Sequence, residues 1–180
     1  MRITGGALSG RRVAVPEAAG SAIRPAMDRM RESVFATLGD ITGKSFLDLF
    51  SGSGIIALEA LSRGAEPVEA VEQDRRKSKT LIQNAAVALP LRLNCRFIAC
   101  ELYIQRARRS FDLIFCDPPF PYAYKSELLQ AIAASPLAGA PESLVMLHRP
   151  REEAIRCPPD FRLDKRREYG RSVVDFLRRV

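Results

Sequence analysis

The chain has 180 residues, enough for one full-sized domain and few for two, and its 47% hydrophobic and 27% charged residues are ordinary globular values. The net charge of +7 is unevenly laid out: residues 1–31 hold six arginines against two acids, residues 149–180 hold ten basic residues against six acids, and the 117 residues between are nearly neutral. No apolar run approaches the roughly 20 residues of a membrane helix, and two basic ends around a neutral centre read as a grip on a polyanion.

Taken in chain order, residues 1–16 predict a short hairpin. Gly5-Gly6 and Ser9-Gly10 supply turn chemistry, and Arg12-Val13-Ala14-Val15 alternates before Pro16. A loop of small residues over 17–23 leads to a predicted helix from Pro25 to Leu38, with Met27, Met30, Val34 and Leu38 on one face. Strand and helix then alternate. Strands are predicted at 46–50, 67–71, 96–99, 111–116 and 143–147, with helices at 55–63, 74–89, 102–109 and 126–134. The tail, 161–163 and 172–177, reads as an antiparallel hairpin around Tyr169-Gly170. Repeated strand–helix–strand units predict an α/β fold, a mainly parallel seven-stranded sheet with helices on both faces. A small N-terminal β-hairpin extension precedes it. Residues 1–39 are expected to form a basic N-terminal extension and residues 40–180 the main domain.

The four cysteines (Cys95, Cys100, Cys116, Cys157) form no C-x-x-C pair and the single histidine is His148. Neither a zinc site nor a disulfide is expected from that set. The start, Met1 to Gly6, lacks the apolar stretch of a signal peptide, so a cytosolic location is expected.

The first predicted strand runs into Asp48-Leu49-Phe50-Ser51-Gly52-Ser53-Gly54. Glycines there let a ligand approach the backbone at the strand's carboxyl end. Gly52-x-Gly54-x-x-Ala57 also fits a dinucleotide fingerprint, with Glu72 placed to bind a ribose. Asp48 weighs against that cofactor, because a carboxylate beside the loop repels a pyrophosphate. It suits the ammonium and sulfonium of S-adenosylmethionine. Glu72 accepts from ribose hydroxyls in either case, and Glu101, after the third strand, falls at the same edge near an adenine amine.

The most specific signal is Asp117-Pro118-Pro119-Phe120, after the fourth strand. The lone pair of an aromatic amine is delocalised, so such an amine is a poor nucleophile. A site helps by accepting its N–H bonds and steering the lone pair toward a methyl donor. Asp117 can accept with its side chain and Pro118 with its carbonyl. Two prolines stiffen the loop, and Phe120 offers a face for a flipped-out base.

Asp-Pro-Pro-Phe resembles the signature of amino-group methyltransferases. The whole chain is similar to the RsmD family of bacterial 16S ribosomal RNA guanine-N2 methyltransferases. The likeness runs through Arg2-Ile3-x-Gly5-Gly6, Gly10-Arg11, Arg24-Pro25-x-x-Asp28-Arg29-x-Arg31-Glu32, the Asp48–Gly54 loop on to Glu59-Ala60, Val71-Glu72-x-Asp74 and Tyr169-Gly170. It implies an RNA-binding role for the extension at residues 1–39, a Rossmann-like class I methyltransferase domain, S-adenosylmethionine as cofactor, and catalysis by the loop Asp117, Pro118, Pro119 and Phe120. The expected cofactor set is Asp48, Phe50, Ser51, Gly52, Ser53, Gly54, Glu72, Gln73, Cys100, Glu101 and Asp117. The expected RNA set is Arg2, Arg11, Arg12, Arg24, Arg29 and Arg31. The implied partner is 16S ribosomal RNA, free or in an assembled small-subunit particle, met by a monomer without membrane or metal. Two positions depart from the family's pattern: Ala26 where many relatives have Thr, and His148 where many have an acid. His148 is read as a surface histidine at a strand end. Other readings of the same residues are a DNA adenine or protein glutamine methyltransferase with this loop, or a non-catalytic RNA-binding module.

Overall fold

The computed structural model describes residues 1–15 and 25–180. The predicted loop at 17–23 and Arg24 lie outside the described residues. Helix α1 spans Pro25–Leu38. The alternating part follows as β1 (Phe46–Asp48), α2 (Ile55–Ser62), β2 (Val68–Val71), α3 (Arg75–Val87), β3 (Leu93–Arg96), α4 (Cys100–Gln105), β4 (Leu113–Cys116) and α5 (Lys125–Ala134). A 3-10 turn at Pro136–Ala138 leads to β5 (Leu144–Pro150), and the tail is β6 (Phe161–Tyr169) and β7 (Ser172–Arg179).

The seven strands form one sheet in the order β3-β2-β1-β4-β5-β7-β6, parallel except for β7, which runs antiparallel to β5 and β6. Period-two alternation sends successive side chains to opposite faces. Phe46, Leu113, Phe115, Leu144 and Met146 pack with α1, α2 and α3 on one side. Leu47, Ile114, Cys116, Val145 and Leu147 pack with α4 and α5 on the other. The α/β sheet with helices on both faces is therefore present, and the order changes direction between β1 and β4. That is where the carboxyl ends of parallel strands part and leave a crevice.

Three expectations change. The third strand is Leu93–Arg96, just ahead of the apolar run at 96–99 that predicts it, and α4 begins at Cys100 instead of 102. At the N-terminus the short hairpin closes on itself, with Ile3 N–H donating to the Arg11 carbonyl (3.1 Å) and Val13 N–H to the Met1 carbonyl (3.0 Å) beside the Arg2–Arg12 bridge, but residues 12–15 form no regular strand. Other parts of the chain fix it as well. Ile3, Leu8 and Val13 are buried in the α1–α3 core. The Glu59 carboxylate accepts from Thr4 N–H (2.9 Å) and Gly5 N–H (2.8 Å), and Ala7 N–H donates to the Ser62 carbonyl at 2.7 Å. Gly6 sits at φ +75°, and a Cβ there would lie 1.8 Å from the Ser62 oxygen, so only glycine permits this approach.

Candidate active site

The crevice between β1 and β4 holds a cavity of about 460 Å³, within the range of about 300–1,000 Å³ for small-molecule sites. Two loops frame it, the first lining it through Leu49 and Phe50. The first follows β1: Ser51 N–H donates to the Val71 carbonyl (2.9 Å), Gly52 N–H to Glu72 Oε2 (2.8 Å), and Gly54 N–H back to Ser51 (2.8 Å). Gly54 caps α2 at φ +81°, with Leu81 packed so close that a Cβ would fall 2.5 Å from its Cδ1. Glu72 ends β2 nearly buried, and its other oxygen accepts from Asp74 N–H at 2.8 Å. Lys77 Nζ stands 3.6 Å from the same carboxylate. Glu72 therefore ties the glycine loop to the β2–α3 turn. A carboxylate has about four acceptor sites, so capacity remains for ligand hydroxyls.

The second loop follows β4. Asp117 is 25% exposed, Pro118 buried, and Pro119 and Phe120 exposed. The Pro119 carbonyl accepts from Tyr122 N–H (2.8 Å) and that of Phe120 from the buried Lys125 ammonium (3.1 Å). Lys125 also bonds the Tyr122 carbonyl and Glu153, which pins the far side of the loop. Among the described residues no donor is bonded to the Pro118 carbonyl.

Of the expected site residues, the cavity wall brings together Phe50, Glu72, Gln73, Cys100, Asp117, Pro118, Pro119 and Phe120. Asp48, Ser51, Gly52, Ser53, Gly54 and Glu101 are not on that wall. Asp48 changes most in meaning. It is 1% exposed beneath the loop and accepts from Ser51 Oγ at 2.9 Å, because all of β1 is interior. Burial, with Asp117 and Glu72 nearby, pushes its carboxyl up to about 7. It supports the loop from below and is not an open carboxylate facing a ligand's ammonium. Glu101 is exposed in the first turn of α4 and accepts from Tyr122 Oη at 2.7 Å. Tyr122 in turn packs edge-on against Phe50, with centroids 5.6 Å apart. Cys116 is fully buried, and burial raises its thiol well above the ordinary value.

Residues absent from the expected set also line the cavity, among them Met27, Lys77 and His148. Met27, expected on the apolar core face of α1, is 40% exposed and looks onto the crevice. His148, expected at the surface, is 3% exposed, with Nδ1 2.7 Å from Asp117 Oδ1. No local pattern signals that pair, since β4 and β5 meet only in the folded sheet.

The expected RNA set divides. Arg2, Arg11, Arg12 and Arg29 are exposed, although Arg11 is drawn onto the Val87 carbonyl at the end of α3. Arg31 is corrected: it is 2% exposed, paired with Asp28 (2.9 Å) and Glu59 (3.3 Å), and donates to the Arg2 carbonyl. A guanidinium held this way secures the N-terminal segment and is not presented to a phosphate.

A family model described as conserved hypothetical protein 95 matches residues 1–178. The ribosomal RNA small subunit methyltransferase D of Escherichia coli K12 is 30% identical over 183 residues, covering 99% of this chain and 90% of that protein. The protein of the same name in Haemophilus influenzae is 27% identical, covering 94% and 89%. Among solved structures, the yhhF protein of Escherichia coli superposes with a TM-score of 0.86 at 29% identity, covering 99% of this chain and 97% of that one. A hypothetical protein of Thermus thermophilus does so with a TM-score of 0.80 at 26% identity, covering 98% of each.

Proposed function

The chain belongs to the conserved hypothetical protein 95 family, the RsmD family of methyltransferases, and from that premise we propose that it methylates the exocyclic N2 amine of one guanine in 16S ribosomal RNA, using S-adenosylmethionine. The observation that carries the reading is the Asp117-Pro118-Pro119-Phe120 loop on one wall of the crevice with Glu72 on the other. The substrate comes from the relatives named ribosomal RNA small subunit methyltransferase D and from the basic ends.

S-adenosylmethionine would supply a methyl group on a sulfonium, an electrophilic carbon that an amine attacks in line with the neutral thioether leaving. The residues fit such a ligand. Glu72 keeps free acceptor positions for ribose hydroxyls, Phe50 and Gln73 flank it on the cavity wall, and Gly52 N–H holds its carboxylate in place. Asp48 underpins that loop. On the other wall, Asp117 and the Pro118 carbonyl accept the two N–H bonds of the amine and direct its lone pair toward the methyl carbon. Phe120, 45% exposed, stacks on the extruded base. Asp117 or water would take the surplus proton of the methylated amine. No enzyme nucleophile takes part in this scheme. The buried, proton-holding Cys116 thiol is consistent with that. Arg2, Arg12 and Arg29 meet RNA phosphates. The protein works as a monomer in the cytoplasm, on free 16S RNA or on an assembled small-subunit particle. Among the described residues no helix is long and apolar enough to cross a membrane.

The test is methyl transfer from labelled S-adenosylmethionine to small-subunit ribosomal RNA and particles, with the product nucleoside identified by mass spectrometry. N2-methylguanine is expected, and Asp117→Ala should lower turnover at least about a hundredfold with cofactor affinity within a few-fold. A carbon- or ribose-methylated product, or an active Asp117→Ala enzyme, overturns the reading.

A further inference from the structure

The scheme above leaves one buried polar group of the site without a task. His148 lies on β5, which runs parallel to β4 with Leu147 opposite Cys116. The residues that follow, Asp117 and His148, therefore stand side by side where β4 ends. Nδ1 of His148 is 2.7 Å from Asp117 Oδ1. Nε2 is buried and has no hydrogen-bond partner among the described residues. The Phe120 ring closes over the imidazole edge-on, with centroids 5.5 Å apart.

An ionised carboxylate only accepts hydrogen bonds, so Nδ1 carries the proton in this contact. An unpaired interior nitrogen is costly, and more so as a charged N–H than as a bare acceptor. With the proton on Nδ1 the ring donates to Asp117 and leaves Nε2 bare. The consequence falls on Asp117. The terminal torsion of an aspartate is broad and roughly two-fold, which suits a solvated acid but not an acceptor that must aim a lone pair. A fixed N–H at one oxygen removes that freedom and leaves the other oxygen open.

We propose that His148 is a positioning residue for the transfer: its Nδ1–H holds Asp117 at Oδ1 so that Oδ2 is presented to the substrate amine. Edge-on contact with Phe120 helps fix the orientation of the ring itself. The proposal rests on the methyl-transfer reading and adds a residue to it.

The chain has one histidine, so the ring signals of ¹⁵N-histidine-labelled protein come from His148 alone. At neutral pH the spectrum should show Nδ1 protonated and Nε2 bare, and Asp117→Ala should abolish that preference. An Nε2–H ring, or a ring indifferent to Asp117→Ala, overturns the proposal. These spectra need only the parent and Asp117→Ala, so they decide even if a His148 variant fails to fold. In the methyl-transfer assay, His148→Ala should lower kcat about ten- to a hundredfold, the scale of a misoriented reacting group, with cofactor affinity unchanged. His148→Asn, whose amide donates from a similar place, should recover most of the loss. On an Asp117→Ala background, His148→Ala should cost nothing more, because its effect passes through that carboxylate. Additive losses, or no rescue by Asn, would count against it. Failure of the underlying reading looks different: Asp117→Ala would then keep the parent's turnover, or the parent would transfer no methyl group, whatever tautomer the ring adopts.

Discussion

Asp48 and Glu72 end neighbouring parallel strands on the same crevice, yet they meet water differently. Glu72 is held by two backbone N–H groups at its rim, whereas Asp48 is sealed under the loop with the Ser51 hydroxyl as its side-chain donor. Burial holds the Asp48 carboxyl at about 7 in the fold, against 3.8 for an unperturbed group. The folded protein thus binds this proton more tightly than the unfolded chain. The burial cost is absent below pH about 4, grows as pH rises to about 7, and is constant above that. Asp48→Asn should therefore be more stable than the parent toward denaturant at pH about 8, with the advantage vanishing near pH about 4. An advantage independent of pH would mean that Asp48 is not protonated by burial. At this scale the cavity-lining residues legible in the sequence are those that sit in one motif, Asp117 through Phe120, and Glu72 one residue past its strand. It concealed residues whose meaning depends on distant partners. His148 needs Asp117, 31 positions away, and Arg31 needs Glu59 to become an interior cation instead of a surface one.

Elements with a strong internal period were readable. Helix α1 spans Pro25–Leu38 as its apolar spacing predicts, and the interior strands β1, β4 and β5 announce themselves as short apolar runs. Edge elements were not. β3 pairs only with β2 and alternates between half-buried and exposed residues, so Leu93-Asn94-Cys95-Arg96 carries little apolar signal. The more hydrophobic Phe97-Ile98-Ala99 lies in the following turn, with Phe97 43% exposed. The N-terminal hairpin turns at its glycines and bonds across its own arms, and α2 and α3 hold it as well. Glu72 belongs to this scale as well, since it joins the glycine loop to the start of α3. Glu72→Ala should weaken S-adenosylmethionine binding by about 1.5–3 kcal/mol, the range for hydrogen bonds to a charged group. Calorimetric titration checks this, and an unchanged affinity would remove Glu72 from the site.

Over the whole molecule, the basic ends are partly structural. Ile3, Leu8 and Val13 lie in the core, so deleting the first residues would damage the fold as well as any grip on RNA. Point changes separate the two. Arg12→Ala with Arg29→Ala, both at exposed positions, should weaken RNA binding. Together they should flatten its salt dependence by about 0.7 in slope for each phosphate no longer neutralised, leaving cofactor affinity as it was. An unaltered slope would make these arginines ordinary solvated surface. The far side of the sheet carries a different consequence. β6 is a nine-residue edge strand with all but its first and last residues exposed. A bare edge of that length is a template on which a second chain can add a strand, the first step toward fibrillar aggregates. Six of its residues are charged (Arg162, Asp164, Lys165, Arg166, Arg167 and Glu168), and the pairing with β7 slips between Leu163 and Lys165. Mixed charge and a broken register are the means by which such edges refuse a neighbour. The same arginines that make this end basic thereby also set this edge against the addition of another strand.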